Sequence, residues 1–446
     1  MTFKPCPKMP LDFAKSRYCL VLLIVLLGEI AGLTLSACAQ TFRILHYFST
    51  QAHNPTDGLT ADAAGNLYGA TESGGSFAGN CVGSGCGTVF RLTFRNSSWL
   101  YTPVYEFQLG NDGAFPQAAP VLGPDGSLYG TTLEGGGSAN CTYGCGVVYK
   151  LLPPPTTCPS TLCRWSDKVI YAFATQTIYD GMSPASRVTF DSAGNLYGTT
   201  KAGGNRIFGP NEGTAYELIH SQNSWSETIL YSFLGGLFGD IGSPASEVIL
   251  DQVGNLYGTG EGVDCGIHQG CGAVYELSPA QGGWREQYIH VFNEPGDGIN
   301  PMGAPIWDGA GNMYGSTSED SLAGNNGPTI WELSPSNGTW TDEILYTWPL
   351  RAPGGNGSLT MDAQGNLYGV QFVYQQGNGS VFKLANNNGV WTYSTLHEFN
   401  GSDGSYPNGS LVVDRDGNIF GTTYAGGSSA PYCSGGCGVI FEISQH

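Results

Sequence analysis

The chain has 446 residues, of which only 12% are charged and 68 are glycine. Its 36 acidic and 17 basic side chains give a net charge of −19, which argues against nucleic acid and anionic membrane surfaces as partners. Short apolar runs rich in Val, Tyr, Phe and Thr alternate with clusters of Gly, Asn, Asp and Ser. This pattern predicts an all-β protein.

Residues 1–39 are predicted to be a signal peptide. A basic start is followed by the apolar run Cys19–Gly28, which is too short to span a bilayer comfortably and fits the apolar segment of an export signal. Ala37-Cys38-Ala39 is a small-residue cleavage site that would release a chain beginning at Gln40. We therefore expect an exported protein, secreted or held on the outer surface, with no transmembrane segment in the mature chain.

The same stretch also resembles a lipoprotein signal, in which Cys38 would carry a lipid anchor. The first predicted strand begins at Thr41, so an anchor at Cys38 would have almost no tether. The short tether favours simple secretion, and lipidation of Cys38 remains open as the alternative.

After the leader, one pattern recurs along the chain, as in DSAGNLYGTT at residues 191–200 and DRDGNIFGTT at residues 414–423. Each unit holds four strand signals: an apolar run before the Asp (strand A), the NLYGTT run (B), a GTVFRL-like run (C), and a run with a Trp near its start and an aromatic end (D). Seven units of four antiparallel strands predict a β-propeller. The aromatic residue of the pattern lies at Tyr68, Tyr129, Tyr197, Tyr257, Tyr314, Tyr368 and Phe420.

The two ends of the chain complement each other. The last unit stops after strand C, at VIFEISQH, and the missing strand D is found at residues 45–48 (LHYF), which match LHEF at residues 396–399. Pairing of the N-terminal strand into the last blade would close the ring and cover its free sheet edges. We therefore predict one domain, residues 40–446, folded as a seven-bladed propeller.

The Asp that opens the pattern is predicted to be structural. Such an Asp accepts backbone N–H groups in a tight turn, while the Gly three residues later takes a positive φ. A residue present in nearly every unit serves a need of every unit, which is folding, whereas catalysis needs one site. The second unit has Gly123 at this position and Asp125 inside the turn; the other six have Asp62, Asp191, Asp251, Asp308, Asp362 and Asp414.

Ten cysteines follow the leader and form five close pairs. An even number of paired cysteines behind an export signal predicts disulfides, and their spacings suit zinc less well than C-x2-C does. Closing such small loops stabilises the fold by only ~2 kcal/mol each, so we expect the bonds to stiffen loops. The pairs are Cys81/Cys86, Cys141/Cys145, Cys158/Cys163, Cys265/Cys271 and Cys433/Cys437.

The units GNLYGTT…GG…GTVFxL…LYxF resemble the GloVer tandem repeat, which is found in exported bacterial proteins with varied surface anchors. The resemblance covers nearly the whole chain after the leader. It implies an exported bacterial protein with a propeller fold and implies little about activity. Two units depart from the pattern, with Gly369-Val370-Gln371 in the sixth and Pro328-Thr329-Ile330-Trp331 in the fifth, so these blades are expected to be less regular.

Two sets of acidic residues are predicted to share one face of the propeller. The connections between strand D and the next strand A carry a D-G-x-x-P motif, of which Asp57-Gly58 is interpreted as a partial copy. The loops between strands B and C lie on the same face and carry four of the five cysteine pairs; binding function usually sits on such loops. The ligand-binding candidates are Asp112, Asp180, Asp240, Asp297 and Asp403, and the catalytic candidates are Glu72, Glu134, Glu261 and Glu319.

Three interpretations of these acids remain open. Turn chemistry alone explains an Asp-Gly pair and is favoured. Some of the Asp carboxylates could instead bind Ca²⁺, a hard cation that prefers oxygen ligands, although no EF-hand spacing is present; no other cofactor is expected. Two of the Glu side chains could act as an acid/base pair on a glycan, which requires carboxyl groups ~5–9.5 Å apart.

The sequence favours an extracellular binding module for a glycan or a protein. The alternatives are a glycan-active hydrolase or lyase with its site at the channel mouth, and a structural surface protein without a small ligand. We expect a monomer that does not bind nucleic acid.

Overall fold

The computed structural model describes residues 40–445 except 76, 78–80, 82, 156–164, 175–179, 205–211, 222–223, 236–239, 243, 245, 264–270, 321–325 and 373–376. The predicted signal peptide and the lipidation candidate Cys38 therefore lie outside the described residues.

Short β-strands make up the regular structure of the described residues, which contain no helix. In chain order the strands are β1 (Thr41–Tyr47), β2 (Ala52–Ala61), β3 (Leu67–Gly74), β4 (Thr88–Arg95), β5 (Ser98–Glu106), β6 (Val121–Leu122), β7 (Leu128–Thr132), β8 (Val147–Leu152), β9 (Ser166–Ala172), β10 (Gly181–Met182), β11 (Thr189–Phe190), β12 (Leu196–Thr200), β13 (Ala202–Gly203), β14 (Thr214–Ser221), β15 (Ser224–Ser232), β16 (Ile249–Leu250), β17 (Leu256–Gly260), β18 (Ala273–Ala280), β19 (Gly283–Val291), β20 (Ile299–Pro301), β21 (Ile306–Trp307), β22 (Met313–Glu319), β23 (Thr329–Ser336), β24 (Thr339–Thr347), β25 (Thr360–Met361), β26 (Leu367–Gln371), β27 (Ser380–Asn387), β28 (Val390–Glu398), β29 (Ser405–Pro407), β30 (Val412–Val413), β31 (Ile419–Ala425) and β32 (Val439–Ser444).

Seven blades of four antiparallel strands form a propeller ring, which confirms the predicted fold. Strand β1 pairs with β32, so the N-terminal strand supplies the fourth strand of the last blade. The Phe48 N–H that follows β1 donates to the Gly438 carbonyl at 3.1 Å. The blades, each in the order A-B-C-D, are blade 1 (β2-β3-β4-β5), blade 2 (β6-β7-β8-β9), blade 3 (β11-β12-β14-β15), blade 4 (β16-β17-β18-β19), blade 5 (β21-β22-β23-β24), blade 6 (β25-β26-β27-β28) and blade 7 (β30-β31-β32-β1).

The D–A connections pair back onto the end of strand B of the blade that they enter. Gly181 lies opposite Gly203 in blade 3, and Ser405 lies opposite Ala425 in blade 7. In blade 2 a single bridge joins Ala114 to Glu134. This pairing holds the D–A connections against the B–C loops, so the two loop sets share one face as predicted.

The repeated Asp makes the predicted turn. In blade 1 the Oδ1 atom of Asp62 accepts the N–H groups of Ala64 and Asn66, each at 2.9 Å, and Oδ2 accepts the Tyr68 hydroxyl at 3.1 Å. Gly65 takes a φ of 80°. Burial alone would raise the pKa of Asp62, but the hydrogen bonds from Asn66 and Tyr68 outweigh burial and lower it. The charged carboxylate is therefore part of the turn.

The last Gly of the GNLYG pattern makes room for an aromatic ring. The close neighbour at this position is a side chain. A Cβ on Gly258 would lie 2.5 Å from the hydroxyl oxygen of Tyr275, the residue opposite it on strand C. Glycine at this position lets the strand C aromatic lie across strand B.

We expect Gly258→Ala to lower the free energy of unfolding by ~1–3 kcal/mol, because the added methyl group overpacks a filled core. Gly309→Ala is the matched control: its φ lies outside the left-handed region, and its added Cβ would meet nothing within 4 Å. Chemical denaturation measures both changes. Equal effects of the two substitutions would show that the Tyr275 ring does not impose the glycine.

Neighbouring blades meet in a recurring contact, which we call the blade joint. The N–H of the residue before the motif proline donates to the carbonyl of a B–C loop residue in the preceding blade, as from Phe115 to Cys86 at 2.8 Å. The residue after that carbonyl is Gly87, on which a Cβ would lie 2.6 Å from Cδ of Pro116. The equivalent donor–acceptor pairs are Asn54–Cys437, Ser183–Cys145, Asn300–Cys271 and Tyr406–Asn378.

The cysteine pairs fix the acceptor side of the blade joint. Three predicted disulfides are present, Cys81–Cys86, Cys141–Cys145 and Cys433–Cys437. Cys271 is also disulfide-bonded. In each of these four loops the second cysteine supplies the carbonyl that the next blade binds. The disulfides therefore stiffen the loop that receives the neighbouring blade.

Two of the five predicted cysteine pairs are not confirmed in this way. Cys158 and Cys163 both lie outside the described residues, so their disulfide stays a prediction. Cys265, the predicted partner of Cys271, also lies outside the described residues. The identity of the cysteine bonded to Cys271 therefore stays a prediction as well.

Candidate functional site

A charged side chain crosses the centre of the ring. Nη1 of Arg187, in blade 3, donates to the Ser410 hydroxyl of blade 7 at 2.9 Å, and Nη2 donates to the Thr60 hydroxyl of blade 1. Its Nε lies 3.7 Å from a carboxylate oxygen of Glu247 in blade 4. Because these residues come from four blades, the innermost strands of the propeller face one another across the axis, and Arg187 spans the channel between them.

The interpretation of Asp57-Gly58 as a copy of the D-G-x-x-P motif is wrong. Asp57 follows Pro55, whereas the motif Asp precedes its proline, and Asp57 lies beside the charges on the channel axis. Burial raises its pKa to about 6; the positive charge of Arg187 opposes this rise and the negative charge of Glu247 adds to it.

The Asp-Gly acids close the turn that follows strand D. The Oδ2 atom of Asp180 accepts the Tyr171 hydroxyl at 2.8 Å and the Ala174 N–H at 2.7 Å. Asp112, Asp240, Asp297 and Asp403 bind the equivalent side chains of their own blades, which are Tyr105, Tyr231, His290 and His397. These bonds match turn chemistry, and ligand binding by these acids stays a prediction.

Each of four of these aspartates faces a second acid from the next blade, which was not predicted above. Glu227 lies near Asp180; burial first, and then the charge of Asp180, raises the pKa of Glu227 to about 8. Asp167 lies near Asp112 in the same way, and burial, followed by the charge of Asp112, raises the pKa of Asp167 to about 7. The sequence signal for these second acids is a Trp followed two residues later by Asp or Glu at the start of strand D. It occurs at Trp165–Asp167, Trp225–Glu227, Trp284–Glu286 and Trp340–Asp342.

At the other three blade interfaces, stacked aromatic rings occupy the positions that carry acids at these four. Tyr346 of blade 5 stacks on Tyr393 of blade 6 with ring centroids 4.3 Å apart. The equivalent stacks are His397 on Phe42 and His46 on Tyr101. The seven interfaces therefore fall into two classes, carboxyl pairs from blade 1 to blade 5 and stacked rings from blade 5 round to blade 1.

We expect the melting temperature to fall as pH rises from about 5 to about 9. A carboxyl group whose pKa is raised in the folded state contributes stability below its unfolded pKa of ~4.3 and loses it as pH passes the folded value; for Glu227 that value is about 8. Glu227→Gln cannot ionise and should flatten the curve. A melting temperature with the same pH dependence in both proteins, measured by calorimetry, would contradict the account.

The four candidate glutamates occupy the predicted face but do not form one cluster. Glu261 is near Glu319 of the next blade: burial first, then the charge of Glu319, raises the pKa of Glu261, and Lys201 opposes the rise. Glu72 instead accepts the Tyr424 hydroxyl at 2.9 Å. Burial raises the pKa of Glu134. The structure thus brings only Glu261 and Glu319 together, and their catalytic role stays a prediction.

Exposed aromatic residues stand on the disulfide-bonded loops of the same face. Phe77, Tyr143 and Tyr432 are 40%, 60% and 66% exposed. The rings of Phe77, in blade 1, and Tyr432, in blade 7, lie with their centroids 6.1 Å apart and their planes 33° apart. We call this pair the aromatic platform. The sequence signal was an aromatic residue between paired cysteines or within four residues of them, which the predictions above do not include.

Tyr432 is held in a conformation that normally requires glycine. It has a φ of 74° and follows Pro431 in a turn closed by the Cys433 N–H, which donates to the Ala430 carbonyl at 3.1 Å. Proline followed by a residue with positive φ is the arrangement of a type II turn, in which glycine is preferred at the second position. A bulky residue there costs about 1–3 kcal/mol and is typical of functional sites. The Cys433–Cys437 disulfide begins at the next residue.

A cleft on the other face lies between the A–B turns of blades 4 and 5. Its lining includes Val253 and Trp307 together with the turn aspartates Asp251 and Asp308. Those carboxylates are used by their own turns. The cleft therefore offers a mainly apolar surface whose two carboxylates are already engaged.

Comparison with known proteins identifies the repeat and the fold. Residues 31–266 and 263–446 match the model of the Gloeobacter/Verrucomicrobia repeat, which confirms the resemblance seen in the sequence. No curated protein matches the chain. No described segment forms a helix long and apolar enough to cross a membrane.

Solved structures share the propeller at low identity. An ulvan lyase of polysaccharide lyase family PL25, bound to -[GlcA(1-4)Rha3S]-, has a TM-score of 0.53 at 11% identity, over 91% of this chain and 96% of the lyase. The polysaccharide lyase Uly1 has a TM-score of 0.51 at 10% identity, over 87% and 90%. The β-propeller domain of the Trilobed protease from Pyrococcus furiosus has a TM-score of 0.44 at 10% identity, over 90% and 95%. At these identities the likeness is one of fold.

Proposed function

We propose that this chain, which belongs to the Gloeobacter/Verrucomicrobia repeat family, is an exported binding module whose aromatic platform holds a neutral glycan. One observation carries the proposal: Tyr432 is two-thirds exposed, lies beside Phe77 and occupies a strained turn position next to a disulfide. Folding gains nothing from an exposed ring in a costly conformation, so binding is the better explanation.

The chemistry of the platform suits a sugar. Aromatic rings offer large, rigid, mostly apolar faces, against which the C–H face of a sugar ring packs while its hydroxyl groups stay in water. Loops already fixed by disulfides lose little conformational entropy on binding. The net charge of −19 disfavours a polyanionic glycan, which is why we propose a neutral one.

The disulfides support export. Such bonds form and persist in oxidising compartments and are rare in the cytosol, and three are present in the described loops. They agree with the predicted division of the chain into a signal peptide, residues 1–39, and a propeller, residues 40–446. Both the division and the secretion remain part of the proposal.

A glycan-active enzyme is the second candidate. Glu261 lies near Glu319, and its raised pKa would help it hold a proton at neutral pH, as a general acid must. Two of the propellers similar in fold are polysaccharide lyases. This candidate places the site at Glu261 rather than at the platform, so one assay separates the two.

The assay incubates the chain with a panel of insoluble neutral polysaccharides and measures retained protein and released sugar ends in the same samples. We expect retention without release, because the platform binds but has no catalytic group. Tyr432→Ala should weaken retention at least about tenfold, as loss of a central aromatic anchor does. Phe94→Ala is the matched control, since Phe94 is 53% exposed at the other end of β4.

Three other outcomes would contradict the proposal. Equal weakening by Phe94→Ala and Tyr432→Ala would mean nonspecific adsorption. Sugar release that is lost in Glu261→Gln would favour the enzyme. No retention on any polysaccharide would exclude neutral glycans and leave a protein ligand or a structural role.

A further inference from the structure

One blade interface differs in chemistry from the rest. At the interface of blades 4 and 5, His290 and Asp297 of blade 4 face Asp342 of blade 5, and one ligand atom of each lies within 4.8 Å of the others. The Nε2 atom of His290 is 3.2 Å from Oδ2 of Asp297. An imidazole and two carboxylates thus converge on one point.

The repeat supplies internal comparisons for this cluster. At the interface of blades 2 and 3, the three equivalent positions are Tyr171, Asp180 and Glu227, which have two acids and no imidazole. At the interface of blades 6 and 7, they are His397, Asp403 and Phe42, which have an imidazole but one acid. Among the interfaces in the described part of the chain, the interface of blades 4 and 5 alone combines a histidine with two acids.

One carboxylate of this cluster has no partner among the described residues. Within the described residues, no hydrogen bond or ion pair engages the Asp342 carboxylate, and Asp342 is exposed. Asp297 is only 4% exposed. Two carboxylates at such a separation repel each other unless a cation lies between them.

The three side chains are also suitable zinc ligands in type and position. Zn²⁺ binds histidine nitrogen and carboxylate oxygen at ~2.0–2.2 Å, and sites with three protein ligands leave a fourth position for water. The hydrogen bond between His290 and Asp297 already holds these two side chains together, and the Glu294 N–H donates to Asp297 at 3.2 Å. The ion would take the place of the proton between Nε2 of His290 and Oδ2 of Asp297. The exposed Asp342 side chain can make the remaining approach by rotating about its own bonds.

We propose that His290, Asp297 and Asp342 form a zinc site that joins blades 4 and 5. The bound ion neutralises the facing carboxylates and ties strand β24 to the D–A connection after β19. The site is independent of the proposed glycan platform, because it lies three blades away from Phe77 and shares no residue with it.

Isothermal titration of the untagged, chelator-treated chain with Zn²⁺ tests the proposal. We expect one site per chain and a rise in melting temperature, because an ion bound only to the folded state stabilises it. Asp342→Ala removes an exposed ligand, so the protein should fold while its zinc affinity falls at least about tenfold and the rise in melting temperature disappears.

Two matched variants make the result specific. Glu343→Ala removes the neighbouring exposed acid on β24, and His397→Ala removes the imidazole of the interface that lacks a second acid. Both should bind Zn²⁺ like the unmodified chain. The proposal is overturned if the unmodified chain shows neither heat nor a melting shift, or if Asp342→Ala binds as tightly as Glu343→Ala.

Discussion

The blade joint is the contact on which the rest of the structure depends. A backbone N–H beside a proline donates to a carbonyl in the preceding blade, while a glycine accepts the proline ring. An alanine in place of Gly87 would meet Pro116, and a missing proline would leave the glycine facing a void. This contact explains why D-G-x-x-P on one side faces Cys-Gly on the other at three of the interfaces.

The joint also determines where the proposed aromatic platform lies. Since the cysteine that supplies the carbonyl is disulfide-bonded, the loop that reaches the neighbouring blade is also the loop that presents an exposed ring. The aromatic platform spans blades 7 and 1, where the N-terminal strand closes the ring. The proposed binding at Phe77 and Tyr432 therefore requires a closed propeller, in which the Asn54–Cys437 joint holds blades 7 and 1 together.

The fold was predictable from the sequence because the pattern of each blade recurs seven times along the chain. The turn aspartates and the pairing of β1 with β32 follow from the repeated pattern, and the three described disulfides follow from the close spacing of their cysteines. The site was predictable only as a face, because contacts between blades join residues that no local pattern connects. Glu227 and Asp180, for example, meet across a blade interface. The positive φ of Tyr432 was not predictable either, because tyrosine rarely adopts this conformation.

A crystal structure of the chain with a bound fragment of a retained polysaccharide tests the central claim most directly. We predict one sugar ring packed against Tyr432 and Phe77, with the two disulfide-bonded loops in the positions described above. A sugar bound beside Glu261 and Glu319, or between the A–B turns of blades 4 and 5, would contradict that claim.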